Sequence, residues 1–372
     1  MDFNTGEPNE PYIGVHVSPK RIDKLTNQKA GKKINRLQKM SKIAKVKIFY
    51  FSERDVDFKK KLINGMFYNG NTKKWSAETF PLPDVYYSRR GEKKANKSAQ
   101  RVKSLIDEMD IPKINSERYY HKWHSYEQLN KFEELRPHLP QTVYFRKAKN
   151  LQDMFRDSST LYLKSFRQNN GAGIMRVTKK EAGYEYKYYK NKKIETGSLD
   201  TFEELLTVIR LFYQGKGFII QKSIDLLQYN NKPLDLRCDV QRNGKGELEC
   251  VAHSVRVGAA NSHITNTRSK PEIHRFEAFF QKNLGYTPEE FNKLKARLEK
   301  LLCDVFEKVE ITHGSFGEIG IDIGIDKNQH LWLIECNMKP GKNSMWVYDK
   351  KTINRAYLNP LEYAKYLLKS RN

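Results

Sequence analysis

The segment Gly320-Ile-Asp-Ile-Gly-Ile-Asp-Lys-Asn-Gln-His-Leu-Trp-Leu-Ile-Glu-Cys-Asn-Met-Lys-Pro-Gly341 constrains the fold of this chain more than any other. Apolar residues alternate with polar ones on both sides of the polar turn Asp326-Lys327-Asn328-Gln329, the pattern of a β-hairpin. A turn centred near Asn328 and Gln329 sets position 322 opposite position 335. Glu335 and Asn337 are two residues apart and share a strand face. The spacing therefore predicts that Asp322, Glu335 and Asn337 project into one small volume. Two carboxylates and an amide oxygen suit a hard cation such as Mg²⁺, with phosphate oxygens completing its shell. Glu335 follows the apolar run Leu331-Trp-Leu-Ile334, where a lone carboxylate is costly. That context argues against ordinary surface decoration.

A chain of 372 residues is long enough for two or three domains with a sizeable core. No segment approaches the roughly 18 consecutive apolar residues of a membrane helix. The polar, acidic N-terminus does not resemble a secretory signal, and the four cysteines show no CxxC spacing. A reduced, cytoplasmic compartment is the expectation. Lys and Arg total 68 and Asp and Glu 44, a net charge of +24. Such a surplus favours polyanionic partners or acidic substrates. No zinc-finger, RNP or other nucleic-acid module is present, so specific nucleic-acid binding is not expected. The histidines lack the spacing of a zinc site, and no Ser/His/Asp or Cys/His arrangement is visible.

Strand patterns at Tyr12–Val17, Ala44–Phe51 and Asp84–Ser88, a helix over 96–109 and a strand over 111–115 predict a first α/β unit with a parallel sheet. A helix is expected from His121 to about Leu135, then a strand at Leu161–Ser165 feeding the loop Gln168-Asn-Asn-Gly-Ala-Gly-Ile174. Asp200, with Glu203 three residues on, predicts the N-cap of a helix to Tyr213. A third unit opens with the strand Gly217–Lys222. The turn Asn243-Gly-Lys-Gly246 predicts a hairpin between 236–240 and 248–256. Thr287, Pro288 and Glu290 predict the capped start of a long helix, and 357–368 reads as a closing helix. The domain boundaries expected are 1–115, 116–216 and 217–372.

Lys164 ends an apolar strand just before the glycine-containing loop. A lysine there can neutralise phosphate, while Gly171 and Gly173 let backbone N–H groups approach the oxygens. No GxxxxGK[ST] occurs, so the loop is not a Walker P-loop.

Taken in order, these segments resemble the ATP-grasp superfamily, and within it the YheC/YheD-type proteins associated with the coat of bacterial endospores. The resemblance is carried by Lys122-Trp-His-Ser-Tyr, Leu139-Pro-Gln-Thr142, Leu163-Lys164, Gly171-Ala-Gly-Ile174, Phe218-Ile-Ile-Gln-Lys-Ser-Ile-Asp-Leu226, Asp235-Leu-Arg-Cys-Asp239, Ser254-Val-Arg256 and the hairpin 320–341. It covers about residues 110–370. It implies an α/β (α+β) chain with an ATP-grasp fold preceded by a Rossmann-like pre-ATP-grasp domain. It implies that Lys122 and Lys164 contact ATP phosphates, that Gln221 and Lys222 hold the adenine edge, and that Asp225 reaches the ribose. It further implies that Asp322, Glu335 and Asn337 bind one or two Mg²⁺, with Mn²⁺ as an alternative, and that Arg237 and Arg256 stabilise the transferred phosphoryl group.

The expected activity is ATP-dependent joining of a carboxylate to an amine or thiol through an acyl phosphate. The alternative is a non-catalytic, coat-associated structural protein that keeps the fold and docks acidic coat proteins or anionic polymers. Several residues carry two readings. Arg237 and Arg256 can pair with acids such as Asp239, Lys122 can be a solvated helix lysine, and Asn266 can line an acceptor site or cap a loop. Asp326 reads as a turn residue.

Overall fold

The computed structural model describes residues 10–90, 97–116, 121–166, 173–190, 193–259, 262, 265 and 271–371. Three six-stranded sheets follow one another along the chain.

The first contains β1 (Tyr12–His16), β2 (Lys47–Phe51), β3 (Val56–Asp57), β4 (Leu62–Asn69), β5 (Lys74–Pro81) and β6 (Val85–Ser88). Helices α1 (Pro19–Thr26), α2 (Lys32–Ala44) and α3 (Lys97–Glu108) belong to the same part of the chain. β1 lies parallel to both β2 and β6, as the alternating pattern predicts. The sheet is mixed rather than parallel throughout, because β2 pairs antiparallel with β4, whose hairpin with β5 the sequence pattern does not assign. Segment 111–115 makes isolated bridges from Lys113 to Tyr86 and from Asn115 to Phe316 instead of the predicted strand. Pro112 has no N–H to give to a ladder; only its carbonyl is used, by the Tyr86 N–H at 2.8 Å.

The second sheet contains β7 (Thr142–Tyr144), β8 (Thr160–Ser165), β9 (Ile174–Lys179), β10 (Tyr184–Lys190), β11 (Lys193–Leu199) and β12 (Phe218–Lys222). Its helices are α4 (Lys122–Leu129), α5 (Ala148–Asp157) and α6 (Phe202–Tyr213). α4 stops at Leu129, short of the predicted Leu135, and a separate turn of 3₁₀-helix follows at Arg136–His138. The cap of α6 is Thr201 with Glu204, one residue beyond the predicted Asp200 and Glu203. Glu204 accepts from the backbone N–H of both Asp200 and Thr201, which satisfies two donors that the helix leaves without partners.

The third sheet contains β13 (Gln228–Tyr229), β14 (Lys232–Arg242), β15 (Leu248–Val257), β16 (Glu272–Arg275), β17 (Glu318–Ile325) and β18 (Leu331–Asn337). With it go α7 (Phe276–Asn283), α8 (Pro288–His313) and α9 (Lys350–Lys369). Thr287, Pro288 and Glu290 start α8 as predicted, and the 243–246 turn joins β14 to β15. Period-two alternation divides this sheet. Leu234, Leu236, Cys238 and Val240 of β14, and Ile319, Ile321, Ile323 and Ile325 of β17, are buried in one core with Leu294, Leu298 and Leu302 of α8. Each such side chain contributes about 1.5–3 kcal/mol on burial. A one-residue slip would turn all of them to the other face, so the register is strongly specified. Asp235, Arg237, Asp239, Glu318, Gly320 and Asp322 are left on that other face.

Two bulges adjust this alternation. Asp322 pairs with Glu335 but Ile323 pairs with Leu333, so Ile334 is an extra residue in β18. Asp239 pairs with Ala252 but Val240 pairs with Cys250, so Val251 is an extra residue in β15. Each bulge reverses which side chains face α8 beyond it. Cys250 packs on the α8 side before the bulge, and Val255 and Val257 after it.

α9 starts at Lys350 rather than Tyr357, because the Asp349 carboxylate caps the Thr352 N–H at 2.8 Å. It runs back across the molecule. Tyr357, Leu361, Tyr363 and Ala364 are buried with β1, β2 and α2 in the first core. Among the described residues, no helix is long and apolar enough to cross a membrane.

Candidate functional site

Where the second and third sheets meet, cations from one face carboxylates of the other. Lys122, in the first turn of α4, donates to Glu335 Oε1 at 2.6 Å. Lys164, on β8, donates to Gln221 Oε1 at 2.5 Å, and Gln221 Nε2 donates to Thr142 Oγ1 at 2.9 Å. The chain β7–β12–β8 thus fixes the Lys164 ammonium through a side-chain relay. Burial lowers Lys164 to about 8; the like charge of Lys122 adds to the drop, while Glu335 and Asp322 oppose it.

The carboxylates sit as the hairpin pattern predicts. Asp322 pairs with Glu335 in the register, and Gly320 with Asn337. Asp322 Oδ1 accepts from Arg237 at 2.5 Å and Oδ2 lies 3.1 Å from Arg256. Burial pushes the Asp322 carboxyl up, but the two guanidinium groups outweigh it and hold Asp322 below its usual range. Arg256 also grips Asp235 with two hydrogen bonds of 2.6 Å, and Thr265 donates to the same carboxylate. Such forked contacts are among the strongest available to an arginine. Neither arginine's carboxylate hydrogen bonds go to Asp239. Both Asp239 oxygens are buried and without a hydrogen-bond partner among the described residues, and burial raises that carboxyl.

Beside this cluster lies a buried carboxylate that the sequence pattern does not single out. Glu318 is fully buried. It accepts from Tyr87 at 2.7 Å, Arg89 at 2.5 Å and Gln241 at 3.3 Å, and is ion-paired with Lys342. The signal was available: Glu318 is four residues before Asp322 on a strand, hence on the same face. Asn115 accepts from the Gly317 and Glu318 N–H groups and donates to the Glu318 and Met338 carbonyls. Arg89 reaches on to the Pro340 carbonyl at 2.9 Å. These contacts tie the first sheet to the β17–β18 hairpin.

The remaining residues fall more widely. Gly171 and Asn266 lie outside the described residues. Gly173 has φ 70°, a left-handed value that favours glycine, and its carbonyl accepts from the Ser165 N–H and the Tyr213 hydroxyl. The Lys222 N–H is taken by the Gln141 carbonyl at 2.9 Å. Asp225 is exposed and paired with Lys327 at 2.8 Å. Asp326 anchors its turn as predicted, accepting from the Asn328 and His330 N–H groups and from Trp332 Nε1.

Two outcomes are expected from this geometry. A Cβ at Gly320 would lie 2.8 Å from the Arg237 guanidinium. Gly320→Ala should therefore displace that flexible side-chain end at little cost in stability and, like Arg237→Lys, should lower any turnover at this site by about tenfold or more. Thermal melting and steady-state kinetics of both variants check this. Lys164 loses its charge as pH rises through about 8. A bound polyanion stabilises the charged form, so polyanion binding near pH 8 should take up protons and weaken above it. Calorimetry in buffers of different ionisation enthalpy measures that uptake, and Lys164→Arg should remove it.

The donor set fits a hard divalent cation. Asp322 and Glu335 are cross-strand neighbours, Asn337 is on the same face, and Asp322 is held ionised.

Residues 110–367 match the family described as YheC/D like ATP-grasp. The chain is 27% identical to the endospore coat-associated protein YheD of Bacillus subtilis (strain 168) over 329 residues, covering 86% of this chain and 70% of that protein. It is 20% identical to YheC of the same organism over 333 residues, covering 87% and 88%. The fold is similar to that of the VanG D-Ala:D-Ser ligase from Enterococcus faecalis, with a TM-score of 0.57 at 12% identity over 97% of this chain and 100% of that one. The chain belongs to the YheC/D-like ATP-grasp family.

Proposed function

We propose that the chain is an ATP-dependent ligase that joins a carboxylate to an amine or thiol. The observation that supports this reading is the meeting of Lys122 and Lys164, from the second sheet and its helix, with Glu335 and Asp322 of the β17–β18 hairpin, whose face Asn337 shares. Lys122 and Lys164 bind the phosphates of ATP, and Gln221 holds the Lys164 ammonium in place. Gly171 and Gly173 shape the loop over the phosphates. Gln221 and Lys222 border the adenine, and Asp225 the ribose. Asp322, Glu335 and Asn337 would hold Mg²⁺, or Mn²⁺ in its place, which when bound would supply positive charge against the phosphates.

A substrate carboxylate oxygen displaces ADP from the γ-phosphorus and becomes an acyl phosphate. The amine or thiol then attacks the acyl carbon, phosphate leaves, and the nucleophile's proton passes to solvent. Arg237 and Arg256 face the oxygens on which negative charge accumulates, and in a cleft closed to water such fixed donors carry their greatest weight. The net charge of +24 suits an acidic polymer or peptide as substrate. The sequence pattern expects working units at 1–115, 116–216 and 217–372, but the strand at 218–222 pairs with β7 and β8, so on this reading the second unit runs on to Lys222 and the nucleotide lies between it and the third.

A second reading has one observation in its favour. The chain's own cations already neutralise both carboxylates, Asp322 through Arg237 and Arg256 and Glu335 through Lys122. A non-catalytic, coat-associated protein would need no more than that. Release of ADP from Mg-ATP, screened against pairs of acidic peptides and amines, separates the two. ADP formed only when both acceptors are present supports the ligase. No ADP with any pair, from protein that does not bind Mg-ATP, supports the coat protein.

A further inference from the structure

The third sheet carries a second cluster on its opposite face, between β15 and α8. Ligand atoms of Cys250, His253 and Glu299 all lie within 4.8 Å of one another. His253 Nε2 is 3.4 Å from Glu299 Oε1. The Cys303 thiol contacts that of Cys250, and this contact lowers Cys303 to about 7 while raising Cys250. Cys303 is four residues after Glu299 on α8, hence on the same helix face.

Cys250 and His253 are three apart on a strand, a spacing that places side chains on opposite faces. The extra residue at Val251 removes that obstacle by reversing the alternation. This is why the sequence shows no zinc-type spacing: the ligands come from a bulged strand and a helix. The same bulge turns Arg256 toward the cleft while it turns His253 toward α8.

We propose that Cys250, His253, Glu299 and Cys303 form a binding site for a thiophilic divalent cation, Zn²⁺ in the first instance, on the face of the sheet opposite the cleft. Two thiolates, an imidazole and a carboxylate are a tetrahedral zinc set in ligand type and number. Zinc–ligand bonds of about 2.0–2.3 Å place tetrahedral ligand atoms roughly 3.4–3.8 Å apart. The His253–Glu299 distance is already at that value and Cys250 lies within 4.8 Å of both, so these three need only contract, while Cys303, one helical turn after Glu299, moves in to complete the set. His253 is pre-oriented: its N–H donates to the Tyr348 hydroxyl at 3.2 Å, its carbonyl accepts from that hydroxyl, and its ring packs edge-on to Phe276. Its Nδ1 is buried without a partner. Lys295, 3.9 Å from Glu299 Oε1, is the nearest competing cation on the helix. Glu299 and Cys303 are partly open to solvent, which gives the ion an entry path. Binding releases one proton per thiol to solvent. The ion clasps α8 to the strand that bears Arg256.

The test is titration of the full chain, reduced and stripped by chelator, with Co²⁺ and then Zn²⁺. Binding of one Co²⁺ per chain should give thiolate-to-cobalt charge-transfer absorption with the bands of a four-coordinate ion, lost on adding Zn²⁺. Cys250→Ser and Cys303→Ser should each weaken binding by 10-fold or more (about that factor even for an outer partner), with an unchanged far-ultraviolet spectrum. Glu335→Ala should retain the absorption, because Asp322, Glu335 and Asn337 offer oxygen donors and no sulfur. Absence of charge-transfer absorption in folded, reduced protein overturns the proposal. So does its persistence in both serine variants, or conversion of the two thiols to a disulfide that no metal prevents.

Discussion

Glu335→Ala is expected to abolish cation-dependent binding of ATP and to lower kcat/KM by about 10²–10³-fold or more. The change removes one of two carboxylates that face each other across β17 and β18, and it frees Lys122 from its 2.6 Å partner. The freed ammonium then repels that of Lys164 without the opposing charge of Glu335. The fold should survive. The Glu335 side chain is 29% exposed, so loss of this ion pair costs on the order of 1 kcal/mol or less. Glu335→Gln keeps the shape and removes the charge, and should fail nearly as completely. Binding titrations with and without divalent cation, alongside thermal melts, measure both sides of this expectation.

The largest expected effect on stability lies nearby. Glu318→Ala should destabilise the chain by about 3–5 kcal/mol, because it strands the buried Lys342 and the half-buried Arg89 without their carboxylate partner. It should also loosen the first sheet from the hairpin, since Tyr87, Arg89 and Gln241 converge on that carboxylate. Burial raises the Glu318 carboxyl, but Lys342 and Arg89 outweigh it and hold the group below its ordinary 4.5. A depressed folded value means that the stabilisation is present above about pH 4.5 and is lost as pH falls through the folded value. Glu318→Gln should therefore flatten the acid limb of stability against pH. Denaturant unfolding of the wild type and both variants, from neutral to acid pH, checks the size and the sign.

The legible parts of this molecule were those that local pattern dictates. The alternation from Gly320 to Ile325 predicts a strand with one apolar face, and Asp322 lies across from Glu335 as expected, although the bulge at Ile334 and not the turn alone sets that pair. The start of α8 follows from Thr287, Pro288 and Glu290 because a capping box is a local interaction. The cap of α6 is misread by one residue because Asp200-Thr201 followed by Glu203-Glu204 offers two overlapping boxes, and only packing of Leu205, Ile209 and Tyr213 chooses between them. The β4–β5 hairpin goes unassigned because its turn, Gly70–Lys73, lies between strands with several exposed positions and weak alternation.

Long-range contacts were not legible. Nothing near Gln221 in sequence says that its side chain holds Lys164, 57 residues away. Nothing near Lys122 announces Glu335, and Arg237 and Arg256 select Asp322 and Asp235 through cross-strand register. The bulge at Val251 is similarly silent, since one extra residue in a strand of mixed burial leaves the apolar pattern almost unchanged.

The most direct measurement is calorimetric titration of ATP into the wild type, with Mg²⁺ and with chelator, at pH values on either side of 8. The expected result is binding that needs the cation, takes up protons near pH 8 and disappears in Glu335→Ala. A folded wild type that binds no Mg-ATP, or a Glu335→Ala variant that binds it as well as the wild type, would contradict a working nucleotide site formed by Lys122, Lys164, Asp322, Glu335 and Asn337.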